Sequence, residues 1–538
     1  MTAPFLRVPP FPGARGLPLC RVGSSSFPAD KALAALVAHR VGGSFWAAPA
    51  GLQLGCDRVL VPDNAEQFAA MLQALPEPGV TVVLAPGMRA PAGFATLASP
   101  FDPWRVAEQA SEVWAGSNRE LATVVALLGK PVRLFAADHA RREQPDLIGD
   151  LTSSLGRHSY ASPFDGTPWE LQQAIEQLGA WRRLIESNRN LAAVYGVAQW
   201  KRVSVDPLLW DGTGPVRHAR RVLPGLDAES RVLAWKSRTA PATLAALAAS
   251  GAAVAELEDG FIRSVGLGAN CVPPLSVIAD SSGVYFDPNG PSDLETMLEC
   301  DELPAKWVER AKDLRTTLVQ AGISKYGQGE VTTPIATSKQ RRVLVTGQVE
   351  DDRSVLSGGA NCTNLELIAK ARALEPDAWI VYKPHPDVEA GHRKGHVPDA
   401  EALRHADAIE RKAPIAALID QVDALHVITS LAGFEALLRG KEVTTHGQPF
   451  YAGWGLTRDL GPKNPRRTRR RSLDELVAAT LIGYPRYVDP VTRLPCPPEV
   501  LVQRIARGEA RVTSLLITLR EWQGKLRLLW QRLSGGRR

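Results

Sequence analysis

The sequence predicts an α/β protein: two facing Rossmann-like units, preceded by a degenerate α/β N-terminal region. Three observations predict it. Short β-branched runs alternate with Ala/Leu-rich helical stretches, the pattern of parallel sheets covered on both faces. Four polar clusters stand at the ends of such runs, and they fall in two successive stretches, about 205–335 and 336–490. Residues 1–200 alternate in the same way but carry no comparable cluster.

In the N-terminal region, 1–200, the strand candidates are Val59–Val61, Val80–Ala85 and Val132–Phe135. Helical periodicity covers Asn64–Leu75, Arg105–Ser111 and Leu171–Arg189. The Gly/Pro-rich stretch Pro207–Pro224 and the linker Thr332–Lys339 read as boundaries. Between them lie strands Val232–Trp235 and Val254–Leu257 with helices Pro241–Ser250 and Leu303–Ala321. Beyond them come strands Val343–Thr346, Trp379–Tyr382, Leu425–Thr429 and Val443–Thr445. Their helices are Asn364–Leu374, Pro414–Asp420, Ala432–Arg439 and Leu473–Leu481. One internal likeness stands out. Glu108–Phe135 and Asp420–Gly447 both read as helix end, strand, turn, helix, Gly-Lys, strand. A degenerate second copy and the general likeness of strand–helix–strand units both explain it.

Of 538 residues, 45% are hydrophobic and 22% charged, which is ordinary for globular domains. The net charge of +6 is concentrated in Lys463–Arg471 and the last thirty residues. That pattern favours an acidic or phosphorylated partner, or an anionic membrane surface, and no nucleic acid. Six cysteines are scattered without a CxxC pair, so neither a disulfide framework nor a zinc site is expected. No metal or resident cofactor is expected. No signal peptide and no apolar run long enough to span a membrane is visible, so a cytoplasmic protein is expected. The absence of a P-loop or a Gly-rich dinucleotide fingerprint lowers kinase and dehydrogenase readings.

The first polar cluster, Glu256–Gly268, puts Glu258, Asp259 and Gly260 at a strand's carboxyl end, where open α/β sheets bind ligands. Two adjacent carboxylates there suit proton transfer, and Arg263 and Ser264 suit an anionic ligand; a solvated turn with an Arg–carboxylate pair is the bland alternative. The second, Val343–Ser354, runs from a buried strand into Gln348, Glu350, Asp351 and Asp352. A carboxylate at this edge can attack a sugar's anomeric carbon or bind a metal, though no further oxygen ligands are evident from the spacing; a charged loop is the bland alternative. In the third, Trp379–Asp387, Pro384 and Pro386 flank His385 and stiffen a loop that presents Lys383 and His385 to a phosphate. In the fourth, His426–Lys441, Thr429 and Ser430 precede a helix whose N-terminus suits an anion, and Glu435 lies one turn inside it; simple capping by Ser430 is the alternative. Two Rossmann-like units with such sites facing a cleft describe one of the two common glycosyltransferase architectures.

These motifs, with "PPLSVIADSSGVYFDP" (Pro273–Pro288), "SKYG" (Ser324–Gly327), "GQPFYAGWG" (Gly447–Gly455) and "GYPRYVDPVTRLP" (Gly483–Pro495), resemble the C-terminal catalytic half of the KpsC-type capsular polysaccharide biosynthesis and export proteins. The resemblance covers roughly Tyr195–Pro498. It implies a GT-B-like fold and a retaining β-Kdo glycosyltransferase. Such an enzyme moves Kdo (3-deoxy-manno-octulosonic acid) from CMP-Kdo to an oligo-Kdo lipid linker, here through a β-(2→7) linkage. By motif it points to Asp352 as nucleophile and to Glu258 and Asp259 as the acceptor-side acidic pair. His385 and Pro386 match the CMP-holding His-Pro, and Ser430 and Glu435 match the residues of the nucleotide-side helix.

Gly327 stands where the family pattern has Asn, and "YGVAQWKR" (Tyr195–Arg202) departs from "YGFSRWKR". The N-terminal region lacks acid–acid–Gly, Gln…Asp and His-Pro motifs, so it reads as non-catalytic, and other capsule-assembly Kdo transferases would supply the alternate linkage. Two other readings stay open: a non-enzymatic capsule assembly or export scaffold, and a transferase of another CMP-activated acidic sugar. The run Arg466, Arg467, Arg469, Arg470 and Arg471 suits the anionic donor and acceptor, or a solvated surface. In the C-terminal segment, 500–538, the stretch Val512–Leu533 places Leu515, Leu516, Leu519, Trp522, Leu526, Leu529, Trp530 and Leu533 at spacings of three and four among Arg520, Lys525, Arg527 and Arg532. This fits a helix on an anionic membrane, hence peripheral association with the inner membrane, or else a helix packed on the enzyme.

Overall fold

The computed structural model describes residues 4–49, 58–74, 80–84, 89, 94–116, 119–135, 141–143, 146–263, 271–300, 302–324, 327–328, 340–391 and 393–510. Ser264 and residues 511–538, with the amphipathic stripe, lie outside them. The chain forms two compact units. One comprises Met1–Leu191, Asp206–Val216 and Thr492–Leu494; the other comprises Ala192–Val205, Arg217–Val491 and the chain from Pro495.

The first unit is built on a six-stranded sheet in the order Ala95–Ala98, Val80–Leu84, Arg58–Val61, Glu112–Ala115, Val132–Phe135 and Arg141–Glu143. Numbered along the chain, these strands lie 3-2-1-4-5-6, all parallel except the last. Leu60, Phe68, Met71, Val82, Trp114 and Phe135 form a core on this sheet. A small antiparallel sheet of Cys20–Val22, His158–Ala161 and Pro168–Trp169 completes the unit's strands among the described residues.

The second unit carries two sheets. The six-stranded one runs Ala408–Ile409, Trp379–Lys383, Arg342–Thr346, Ala424–Val427, Glu442–Thr445, Arg458–Asp459, all parallel and again in the order 3-2-1-4-5-6. Its β-branched strands are buried on both faces, as parallel sheets require. Val343, Val345, Ile380 and Tyr382 pack against Leu367, Ile368 and Ala371 of the helix Asn364–Leu374. That helix starts where it does because Thr363 and Glu366 cap each other's backbone N–H groups.

The seven-stranded sheet is wider than the 205–335 stretch. Its order is His218–Ala219, Leu191–Tyr195, Arg231–Ala234, Ala253–Asp259, Ser276–Asp280, Arg486–Val488, Pro495–Cys496. The expectation of a parallel sheet is corrected here. Ser276–Asp280 returns antiparallel to Ala253–Asp259, and the two strands after it are antiparallel as well. No helical period separates Asp259 from Ser276 in the sequence, and a parallel return generally needs a crossover helix. The helix expected over Leu473–Leu481 is α-helical to Val477 and continues as a π-helix over Ala478–Gly483. Among the described residues no helix is long and apolar enough to cross a membrane.

Candidate functional site

The pleat of one strand sorts the acidic residues. Successive side chains of Ala253–Asp259 point to opposite faces, so Glu256 and Glu258 share one face and Asp259 takes the other. Glu256 is buried and meets two cations: Lys236 Nζ at 2.9 Å and Arg353 Nη1 at 2.6 Å. The same Arg353 nitrogen stands 4.0 Å from Glu258 Oε2. On the other face, Asp259 accepts from Arg263 Nε at 2.8 Å and from Lys201 Nζ at 3.4 Å. Lys201 lies 3.2 Å from the ring centre of Trp235, and its burial lowers the ammonium pKa to about 8 despite Asp259 beside it. Glycine is required at 260, because a Cβ there would collide with Ser276 Oγ.

Arg263 is therefore not presented to an anion. It is buried, paired with Asp259, and donates to the Val272 carbonyl at 3.3 Å.

The six-stranded sheet gathers the other clusters along its carboxyl edge. Gln348 follows the first strand and Thr429 the fourth, at the point where the strand order reverses. Their side chains join the two loops: Gln348 Nε2 donates to Thr429 Oγ1 (3.1 Å), and Thr429 N donates to Gln348 Oε1 (2.8 Å). Gln348 is thus committed inside the loop pair rather than turned toward a ligand. Asn364 holds the same loop, donating to the Gln348 carbonyl and accepting from its N–H. Glu350 accepts from Asn364 N, and Asp351 pairs with Arg393 at 3.1 Å. Asp352 is exposed and caps the helix Arg353–Gly358, accepting from Ser354 N (3.0 Å) and Ser354 Oγ (2.8 Å). Both bonds fall on Oδ1.

Lys383 ends the second strand. It is buried, donates to the Arg411 carbonyl at 3.4 Å, and burial holds its ammonium below the ordinary lysine value. His385 is half-buried and caps the short helix Pro386–Glu389, its Nδ1 accepting from Asp387 N at 3.2 Å. Pro386 takes the first helical position, where a missing N–H costs nothing. Ser430 caps the helix Leu431–Leu438, its Oγ accepting from Ala432 N at 3.2 Å. Glu435, on that helix, is buried and lines a small pocket with Phe261, Leu318, Phe434 and Leu481.

The basic run is mostly internal. Arg466 and Arg467 both pair with buried Glu295, at 2.5 and 2.9 Å, and buried Arg471 donates to the Leu298 carbonyl. Arg469 and Arg470 are exposed.

Four residues around the acidic strand escape a motif reading: Lys201, Lys236, Glu256 and Arg353. Glu256 was legible from its two-residue spacing to Glu258. Lys201 lay in Tyr195–Arg202, just past a strand's carboxyl end, and Arg353 follows Asp352 directly. Lys236 carried no signal beyond its place after a strand.

Comparison with known proteins finds capsule polysaccharide proteins. The family model "capsule polysaccharide biosynthesis protein" matches residues 230–326 and 309–487. The capsule polysaccharide modification protein LipA of Neisseria meningitidis serogroup B is 38% identical over 375 residues, 68% of this chain and 53% of that protein. The lipopolysaccharide-processing protein LpsZ of Rhizobium meliloti is 47% identical over 236 residues, 43% of this chain and 53% of that protein. The chain thus spans about half the length of the curated relatives it matches. Among solved structures, the Thermosulfurimonas dismutans KpsC β-Kdo 2,4 transferase is 31% identical with a TM-score of 0.50, covering 58% of this chain and 98% of that one. The chain belongs to the KpsC-type family of capsule polysaccharide biosynthesis proteins, with a Rossmann-like, GT-B-like fold.

Proposed function

We propose that the second unit is a glycosyltransferase that moves Kdo from CMP-Kdo to a Kdo-primed lipid acceptor, with retention and through a β-(2→7) linkage. The observation that carries this reading is the pairing of a switch-point carboxyl edge bearing Asp352 with an acidic strand bearing Glu258, bridged by one guanidinium. The KpsC-type relatives supply the donor and acceptor class.

The step runs as a double displacement. Asp352 attacks the anomeric carbon, and the bond from that carbon to the CMP phosphate breaks with its electron pair leaving on the phosphate. His385, at the neighbouring strand end, stabilises the departing charge. The acceptor hydroxyl then attacks the glycosyl–Asp352 ester, giving its proton to Glu258 and returning Asp352 as carboxylate. Asp259, neutralised by Lys201 and Arg263, fixes the end of the strand that carries Glu258. Thr429, Ser430 and Glu435 line the nucleotide side. One linkage per chain leaves the alternate linkage to other capsule-assembly Kdo transferases. Peripheral association with the inner membrane brings the site to its lipid acceptor.

Incubating the full chain with CMP-Kdo and a synthetic Kdo-primed acceptor tests the reading. Transfer, a Kdo adduct on Asp352 in a donor complex stalled without acceptor, and loss of both in Asp352→Ala are the expected results. An adduct on Asp351 or Glu350 overturns the residue assignment. Wild-type transfer by the alanine variant removes the nucleophile altogether. Transfer only from a different CMP-activated acidic sugar overturns the donor, and none from any such sugar returns the protein to a scaffold role.

A further inference from the structure

We propose that Arg353 is a positioning residue: with buried Glu256 it holds the turn bearing Asp352 at a fixed distance from Glu258. The inference rests on Asp352 and Glu258 having the roles given above.

Arg353 is the residue after Asp352 and opens the helix Arg353–Gly358. Asp352 begins that helix through its own carbonyl, which accepts from Val355 N (3.1 Å) and Leu356 N (2.9 Å). The position of Asp352 is therefore the position of this one and a half turns of helix. Six residues make too short a helix to hold itself in water, so its anchors decide where it sits. Beside a backbone bond from Gln448 N to the Gly358 carbonyl at 2.8 Å, Arg353 supplies the charge-assisted one. Its guanidinium reaches from the six-stranded sheet's loop to the seven-stranded sheet, bonds Glu256 Oε1 at 2.6 Å and lies 5.0 Å from the ring centre of Phe286. Weaker ties run in parallel: Asn289 Nδ2 donates to the Ser357 carbonyl at 3.2 Å, and Ser357 Oγ to the Phe286 carbonyl at 3.4 Å.

Glu256 is a rigid anchor. It sits mid-strand, paired in register with Ala234 on one side and Asp280 on the other, and its side chain is 1% exposed. Lys236 holds its second oxygen at 2.9 Å, so neither carboxylate oxygen is left to turn away. Two residues along the same face is Glu258, 4.0 Å from the same guanidinium nitrogen. Nucleophile and base are thus set apart by one side chain and one strand repeat. A carboxyl-to-carboxyl distance is what divides the two outcomes of sugar transfer by acid pairs, so a device that fixes it bears on the reaction directly.

The role predicts a loss in turnover rather than in donor binding, because no donor contact is removed. In Arg353→Met, kcat should fall about 10- to 100-fold, the order a ~1 Å misplacement costs, with KM for CMP-Kdo within about threefold. Kdo adduct formation in a single turnover should slow by the same factor. Arg353→Lys should recover part of the rate. Glu256→Gln, nearly isosteric, should lose a similar factor, and the double variant should be no worse than either single one. Deuterium uptake over residues 350–358 should rise in Arg353→Met with the rest of the unit unchanged. Turnover within about twofold of wild type in Arg353→Met, or losses that multiply in the double variant, would overturn the proposal. If Arg353→Met does not fold, Arg353→Lys and Glu256→Gln are judged by the same measures. If the wild type transfers no sugar, the functional reading falls, and uptake alone decides the anchoring: unchanged uptake over 350–358 overturns it.

Discussion

Acidification should weaken the six-stranded sheet of the second unit through two histidines. His426 lies in the fourth strand and His446 directly after the fifth. Both are buried, and His426 Nδ1 lies 3.1 Å from His446 Nε2, so one ring must donate and the other accept. Burial, and then the positive groups His446, Arg458 and Arg341, push the His426 pKa down to about 3. Burial, then Lys370 and Arg458, push that of His446 to about 4. Glu375 stands 3.9 Å from His426 Nε2, beyond hydrogen-bond reach, so it offers the imidazolium little relief. The sign follows from these directions. Folded values lie below the ordinary histidine value, so the unfolded chain takes up protons first. Stability is full above about pH 6.5 and falls as pH drops toward the folded values. At about pH 5 each histidine is about 1.5 units below its unfolded pKa, worth about 2 kcal/mol, and the pair about 4 kcal/mol. Native-state hydrogen exchange at the amides of Ala424–Val427 and Glu442–Thr445 reads the opening of this sheet without assuming that two units unfold together. His446→Gln keeps a hydrogen-bonding partner for His426 and removes one titrating group. It should lose about 2 kcal/mol less than wild type between about pH 7.5 and pH 5. Equal losses in the two proteins would refute the reasoning.

Three further outcomes are expected. Transfer should fall as pH rises through about 8, where Lys201 discharges and Asp259 loses one of its two cations; Lys201→Arg should carry activity to higher pH, and an unchanged alkaline limb would sink the idea. His385→Asn keeps the helix cap but removes the imidazole, so KM for CMP-Kdo should rise about tenfold or more, as for a lost charge-assisted bond of about 1.5–3 kcal/mol; an unchanged KM contradicts a phosphate role. Deleting residues 511–538 should release the protein from anionic vesicles and leave transfer to a soluble acceptor intact, each basic residue contributing about 1 kcal/mol at such a surface; retained binding or unfolding means the segment packs on the enzyme.

How much of this was legible in the sequence depends on what each signal measures. Strand–helix alternation reports burial, and it locates four of the six strands of the second unit's parallel sheet to within two residues; the two-residue edge strands Ala408–Ile409 and Arg458–Asp459 are too short to show it. The same signal cannot report direction. Ser276–Asp280 is a buried strand, and only its pairing shows that it runs antiparallel. Motif reading found the residues at strand ends but not which way they face. Glu258 and Asp259 look equivalent as neighbours, yet a strand's period of two sends them to opposite faces. Arginines misled most. Arg263, Arg466 and Arg467 read as anion sites because a guanidinium is charged; each is matched by a carboxylate distant in sequence or one turn away, which a charge count along the chain cannot see.

The likeness between Glu108–Phe135 and Asp420–Gly447 can be carried further. In both sheets, each of order 3-2-1-4-5-6, the segment supplies the fourth strand, the helix after it and the fifth strand. The correspondence is one of topology as well as pattern, and the order is the common one of doubly wound sheets, so a degenerate copy and general strand–helix–strand likeness both explain it. The side chains beside the fourth strand differ. In the second unit, Gln348 crosses from the first strand's loop to Thr429 and leaves a polar edge. In the first unit, Asn64 caps the helix that follows the first strand, and Gln67 of that helix accepts from Asp63 N and donates to the Phe135 carbonyl. Asp63 and Gln67 press so close to Gly116, at the end of the fourth strand, that a Cβ there would collide with both. In both units side chains from the segment after the first strand pack at the end of the fourth; the second unit adds Asp352, His385 and Ser430 at neighbouring strand ends. A fold held by its hydrophobic strands does not need such residues, since Val59, Leu60, Val113 and Trp114 stay fully buried whatever the loops carry. A site does, because it depends on the few polar residues that the sheet displays at one edge.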